Sequence, residues 1–198
     1  MDVLVLGSTR PYLDGDSLDH SGPFVWSVPN VLTAAECAAL IARIEEAGPT
    51  DAPITTMSGA VMMPDVRNNT RVMFDDHARA TLVYERIAHT LPSPLHLARP
   101  IAANERFRCY RYEPGQRFAP HYDGCFARTD TERSELTLMV YLNDDFSGGA
   151  TEFHDFDRTA TPRTGMALLF QHRLLHEGCT VTRGVKYVLR SDVMYRSL

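Results

Sequence analysis

Apolar residues recur at helical spacing in two places, both in the first half of the chain, and in short strand-like runs through the second half. Thr33, followed three residues later by Glu36, forms a capping box, and Leu40, Ile41 and Ile44 then mark one helical face. Gly48-Pro49 ends that helix. A second helix is predicted from Asp75-Asp76, whose carboxylates suit a helix N-terminus, with Leu82, Val83, Ile87 and Leu91 on its buried side and Pro92 as its stop. Phe24 to Val28 is a short strand ended by Pro29-Asn30. Residues 1–23 form an irregular lead-in in which Val3 to Leu6 could add an edge strand. Residues 49–71, rich in Pro, Thr, Met, Asn and Gly, are expected to be loop with at most short strands.

From Asn104 the texture changes. Runs at 105–112, 117–123, 135–142, 150–156, 166–171, 173–181 and 185–195 are separated by turn signals such as Pro114-Gly115, Asp144-Asp145, Ser147-Gly148-Gly149 and Pro162. That spacing predicts an antiparallel sandwich or barrel. Within 136–143 the faces separate: Leu136, Leu138, Val140 and Leu142 on one, Thr137, Met139, Tyr141 and Asn143 on the other. If the apolar face meets the helices, Tyr141 turns inward. The expected architecture is α+β, a jelly-roll-like sheet with helices packed outside it. Residues 24–198 form a single domain, and 104–198 form its motif-bearing core.

Composition narrows this little. At 198 residues and 44% hydrophobic content, the chain suits one globular domain. A formal net charge of −5 offers phosphate backbones no general attraction, so nucleic acid is not an expected partner. Cys37, Cys109, Cys125 and Cys179 show no framework spacing. The first residues lack a basic n-region, and no apolar stretch approaches the ~18 residues of a membrane span, so a reducing cytoplasm is expected. Oligomeric state is left open.

The chemistry centres on His121-Tyr122-Asp123. In an extended stretch, residues two apart share a face, so an imidazole and a carboxylate would occupy adjacent corners of a metal octahedron. A third ligand would complete the two-His-one-carboxylate triad of non-haem Fe(II) oxygenases. His20, His77, His89 and His96 fit surface or helix-packing roles, leaving His154, His172 and His176 in the strand-rich half. His176 has the better claim, because Lys186 lies ten residues downstream, where a hairpin return can bring a cation beside the metal to meet a dicarboxylate. His172 lacks such a companion and is expected to be a polar strand-end residue. Arg190 shares a strand face with Lys186.

The stretch Tyr112-Glu-Pro-Gly115-Gln-Arg-Phe118-Ala-Pro120-His121-Tyr-Asp123 resembles the corresponding segment of the prolyl 4-hydroxylases, which are 2-oxoglutarate- and Fe(II)-dependent dioxygenases. Leu138-Met-Val-Tyr141-Leu-Asn, then Gly148-Gly149-Ala-Thr151-Glu-Phe153, continues the likeness. Pro162-x-x-Gly165-x-Ala167-x-x-Phe170, His176 and Lys186 complete it, over about residues 104–198. The resemblance implies a double-stranded β-helix core with flanking N-terminal helices. It implies Fe(II) held by His121, Asp123 and His176, with 2-oxoglutarate and O2 as co-substrates and ascorbate as reductant. Lys186, Tyr112 and Tyr141 would bind 2-oxoglutarate. Relatives often carry arginine where Lys186 stands, so Arg190 is a further candidate: it could share the co-substrate, hold a substrate carboxylate, or pair with Asp192. The implied reaction hydroxylates a C–H bond of a protein or peptide side chain or a small molecule, releasing succinate and CO2. A non-catalytic jelly-roll that binds or senses a ligand and a metal-dependent hydrolase are the competing readings.

Overall fold

Thr33 caps the first helix as its sequence requires. In the structure, a computed structural model describing residues 1–7, 17–56 and 59–198, Thr33 Oγ1 accepts the Glu36 amide while Glu36 Oε2 accepts the Thr33 amide. Helix α1 spans Ala34–Ala47 and ends at Gly48, whose positive φ closes the last turn. Asp76 Oδ1 accepts the Arg79 amide and starts α2, His77–Ile87.

The strands are β1 (Asp2–Leu6), β2 (Pro23–Val28), β3 (Thr50–Asp51), β4 (Ile54–Thr56), β5 (Gly59–Val61), β6 (Thr70–Asp75), β7 (Ala98–Ala103) and β8 (Arg106–Tyr112). They continue as β9 (Phe118–His121), β10 (Glu132–Tyr141), β11 (Ser147–Gly148), β12 (Thr151–Phe153), β13 (Arg158–Ala160), β14 (Ala167–Gln171), β15 (His176–Gly178), β16 (Val181–Arg183) and β17 (Lys186–Ser197). A major sheet runs β1-β2-β14-β10-β17-β8-β6-β3, and a minor sheet runs β13-β12-β15-β9. The twelve-residue β17 is its spine. It pairs β10 along one edge and, along the other, first β8 and then β7.

Two cores follow from the pleat. Leu136, Leu138, Val140 and Leu142 face outward and meet Cys37, Leu40 and Ile44 of α1 and Val83 and Ile87 of α2. Each fully buried aliphatic side chain there contributes about 2 kcal/mol. The inner core draws on both sheets, through Tyr112, Tyr141, Phe153, Phe170 and Val188. Tyr141 therefore turns inward as the alternation requires. The α+β jelly-roll, the double-stranded β-helix with helices outside, stands as the fold.

Strand formation begins well before Asn104. β1 joins β2 at one edge, β6 pairs β8 next to the short strand β3 at the other, and β7 extends the partnership of β17. Neither β6 nor β7 was foreseen as a sheet strand; β7 contains Pro100, which stands beside a register shift opposite Tyr195. Gly165 joins the helical layer to the sheet. Its φ is 75°, a Cβ there would lie 2.0 Å from Leu32 O, and its own carbonyl accepts the Leu32 amide.

A candidate metal centre between the sheets

The antiparallel pairing of β9 with β15 sets His121 opposite His176. His121 Nδ1 lies 2.8 Å from Ala119 O, and His176 Nδ1 lies 2.9 Å from Leu174 O. A carbonyl only accepts, so each Nδ1 carries the proton and each neutral ring presents the lone pair of Nε2. Those Nε2 atoms lie 3.9 and 3.8 Å from Asp123 Oδ1 and Oδ2. One ligand atom from each of the three residues falls within 4.8 Å of the others. Phe118 stacks on His121 at 3.5 Å between centroids, and Phe170 meets His176 edge-on at 4.6 Å.

The electrostatics keep the set ready for a cation. Burial, then the neighbouring imidazole, lowers His121 to about 4, and burial lowers His176 as well. Burial alone would raise Asp123, but the Arg190 guanidinium, the two imidazoles and the Thr137 hydroxyl outweigh it and hold the carboxyl far below its usual range. Two neutral imidazoles and an ionised carboxylate, all presenting free lone pairs, form a donor set suited to a divalent first-row metal with open coordination positions.

Asp123 is held in place by a chain of hydrogen bonds. Thr137 Oγ1 donates to Asp123 Oδ2 at 2.7 Å. Its one proton is then committed, so it accepts from His172 Nδ1 at 3.2 Å, and His172 Nε2 accepts from Ser134 Oγ at 2.8 Å. Ser134 Oγ in turn accepts the Phe126 amide. His172 is thus a buried support for Asp123, just beyond the end of β14, and burial lowers it to about 4. His154 lies elsewhere, near Glu177.

Lys186, only 2% exposed, opens β17 on the wall of a cavity that also borders the triad. Its Nζ donates to Gly149 O at 2.6 Å, and no acidic side chain pairs with it among the described residues. Burial pulls it down to about 8. Tyr112 lines the same cavity, and burial pushes its phenol up to about 12. Tyr141 hydrogen-bonds Thr151 Oγ1 at 2.7 Å, and Thr151 lines the cavity beside Lys186. Arg190 is committed differently: Nη2 lies 3.2 Å from Asp123 Oδ2 and 3.1 Å from Asp192 Oδ1. Of the two cations on this strand face, the arginine is answered by acids and, among the described residues, the lysine is not.

Sequence reasoning gave no role to Thr137 or to Phe118 as a stacking partner. Thr137 had one signal, a small polar residue on the inward face of a strand otherwise lined there by Met139 and Tyr141.

Residues 106–191 match the 2OG-Fe(II) oxygenase superfamily. The chain is 32% identical over 108 residues to a protein of Acanthamoeba polyphaga mimivirus named "Putative prolyl 4-hydroxylase", covering 45% of this chain and 44% of that protein, so it spans under half the length of that relative. It is 24% identical over 211 residues to prolyl 4-hydroxylase 1 of Arabidopsis thaliana, covering 94% of this chain and 72% of the relative. The viral collagen prolyl hydroxylase of Paramecium Bursaria Chlorella virus-1, solved with 2-oxoglutarate, shares the fold with a TM-score of 0.63 at 24% identity, over 88% of this chain and 97% of that one. No helix among the described residues is long and apolar enough to cross a membrane.

Proposed function

We propose that this prolyl 4-hydroxylase-like chain is a 2-oxoglutarate- and Fe(II)-dependent dioxygenase that hydroxylates a C–H bond and releases succinate and CO2, with residues 24–198 acting as one oxygenase domain. One observation carries the reading: three convergent metal-type donors share a cavity wall with a buried lysine that no acid answers among the described residues. Bound there, a dicarboxylate would give the ammonium its acid while the three donors held the metal, whereas a zinc hydrolase has no use for the lysine.

His121 and His176 bind Fe(II) through Nε2, their orientation fixed by the Nδ1 bonds to Ala119 and Leu174. Asp123 supplies the third ligand, held by Thr137 and Arg190. The chemistry that Fe(II) supplies when bound is O2 activation coupled to decarboxylation of 2-oxoglutarate, with ascorbate keeping the metal reduced. Lys186 holds the far carboxylate of 2-oxoglutarate, with Tyr112 and Thr151 as neighbouring hydroxyl donors and Tyr141 fixing Thr151 from behind. Phe118, Phe153 and Phe170 close the apolar side of the imidazoles and exclude water. The protein supplies geometry, charge and dryness rather than a general acid or base.

The test is succinate formation by purified protein given Fe(II), ascorbate and 2-oxoglutarate, compared with Asp123→Ala. The wild type should form succinate above the variant even without prime substrate. Equal rates, with both proteins folded, would overturn the reading, and failure of the wild type to bind metal would favour a non-catalytic ligand-binding jelly-roll.

A further inference from the structure

Beside the triad opens a second cavity, lined by His121 and Asp123 together with Arg67, Arg71, Arg108 and Arg190. Three of these arginines stand on neighbouring strands. Arg190 of β17 is directly opposite Arg108 of β8, and Arg71 of β6 pairs with Tyr110, two residues from Arg108 and so on the same face. Like charges set directly opposite across a sheet are destabilising, so the arrangement calls for a compensating partner. The protein supplies little. Arg190 lies against Asp123 and Asp192 and Arg108 approaches Asp192, while no acid pairs with Arg67 or Arg71 among the described residues, and Asp123 belongs to the triad.

The incomplete pairing shows at the atoms. Arg67 is buried, stacked 4.2 Å over Tyr110 and 4.3 Å over Phe118, with Nε on Asn69, yet its Nη2 has no hydrogen-bond partner. Arg108 Nη1 reaches Asp192 only at 3.6 Å and is likewise without a hydrogen bond, and Asp192 Oδ1 beside it makes none either, so the cluster is poorly paired within the protein. Burial, followed by repulsion from Arg67 and Arg108 that the Tyr110 ring only partly offsets, pushes Arg71 below its ordinary value. Packing alone does not account for such a cluster: a purely structural wall would do better with neutral side chains. Across the cavity Ile54, Val66 and Phe126 offer an apolar surface.

We infer that the molecule oxidised at this centre carries a carboxylate, received by Arg71 and Arg108 with Arg67 behind them, while its apolar body lies along Ile54 and Val66 and presents a C–H bond toward the triad. This rests on the oxygenase reading and narrows it from any side chain or metabolite to a carboxylate-bearing substrate. Planar guanidinium groups suit that ligand because each can give a carboxylate two parallel N–H bonds. The co-substrate does not fill the role, since Lys186 stands ready for it in the adjoining inner cavity, which Arg67, Arg71 and Arg108 do not line.

The experiment measures binding without turnover. Protein loaded with Mn(II) and 2-oxoglutarate under argon is titrated calorimetrically with matched pairs: N-acetyl-L-proline and its primary amide, N-acetyl-L-leucine and its amide, and a blocked pentapeptide with a central Glu or Gln. In at least one pair the acid should bind about tenfold or more tightly than its neutral partner, the worth of one charge-assisted contact. That advantage should fall below about threefold in both Arg71→Gln and Arg108→Gln. Whether the acetylated acids or the Glu peptide carry it tells a small acid from an acidic side chain. Arg71→Gln does not disturb Asp192 and so keeps the test valid if Arg108→Gln fails to fold. Equal binding of acids and amides, no binding by any acid, persistence of the advantage in Arg71→Gln, or a rise in 2-oxoglutarate KM in that variant as large as in Lys186→Met would each overturn the inference. A clear acid preference in a protein that forms no succinate would instead sink the oxygenase reading and leave the carboxylate site standing.

Discussion

Replacing Lys186 with Met keeps the stem and removes the ammonium, which isolates what the buried charge does. In the ligand-free protein that charge is a burden. Burial moves the amine from 10.5 to about 8, equivalent to about 3 kcal/mol between the protonated and neutral forms. The sign follows from linkage: between about pH 8 and 10.5 the unfolded chain binds the proton that the folded chain has released, so stability rises with pH across that window. Below pH 8 the native protein carries the full cost. A dicarboxylate in the inner cavity reverses the balance by giving the ammonium a partner where water cannot screen the pair. Removing one member of such a buried charge pair costs about 2–4 kcal/mol, so Lys186→Met should raise the 2-oxoglutarate KM by roughly 30- to 1000-fold. Metal affinity should change less than about threefold, because the Nε2 and carboxylate donors are untouched. Two measurements decide: succinate formation against 2-oxoglutarate concentration, and urea unfolding of ligand-free wild type and variant from pH 7 to 10.5. Wild-type stability relative to the variant should climb by up to about 3 kcal/mol across pH 8–10.5. A KM within about threefold of wild type would refute the assignment of Lys186 as the anchor, and a stability difference flat with pH would refute the account of its charge.

Thr137→Val removes the donor to Asp123 and strands His172 Nδ1–H without an acceptor, so it should cost about 1–3 kcal/mol in urea unfolding and about 10- to 100-fold in metal affinity. Thr137→Ser should restore both; unchanged metal affinity in Thr137→Val would show that the hydrogen-bond chain does not position the ligand. His121 and His172, each lowered to about 4, make the metal-free protein lose stability as pH falls from about 6.5 to 4, because the unfolded imidazoles take up protons first. Asp123, held low, adds to the loss as pH falls further. Metal affinity should nevertheless stay level from pH 8 to about 5, since the rings are already neutral, and a tenfold fall per pH unit from 6.5 downward in a metal titration would contradict this.

The helices were legible because their signals are local: Thr33 and Glu36 are three residues apart, and Asp76 touches the first turn that it caps. The inward and outward faces of β10 were legible for the same reason, since alternation needs only the pleat. β6 and β7 escaped because their reasons for being strands are distant. Thr70–Asp75 lies at the end of a turn-rich stretch and becomes a strand by pairing with β8, and Ala98–Ala103 carries a proline that β17 accommodates at a register shift. His172 was placed correctly at a strand end, but its burial and its service to Asp123 depend on Ser134 and Thr137, more than thirty residues away.

Order and spacing alone put His121, Asp123, His176 and Lys186 in one argument, because two-residue periodicity and the length of a hairpin return are properties of any extended chain. They could not choose between Lys186 and Arg190, nor say which charged side chains would gather beside the metal donors. Those choices are electrostatic, and charges interact through space. Folding brings Asp123 and Asp192 to Arg190 and leaves Lys186 unanswered by any acid among the described residues, while three strands remote in sequence line up Arg71, Arg108 and Arg190 beside the metal donors.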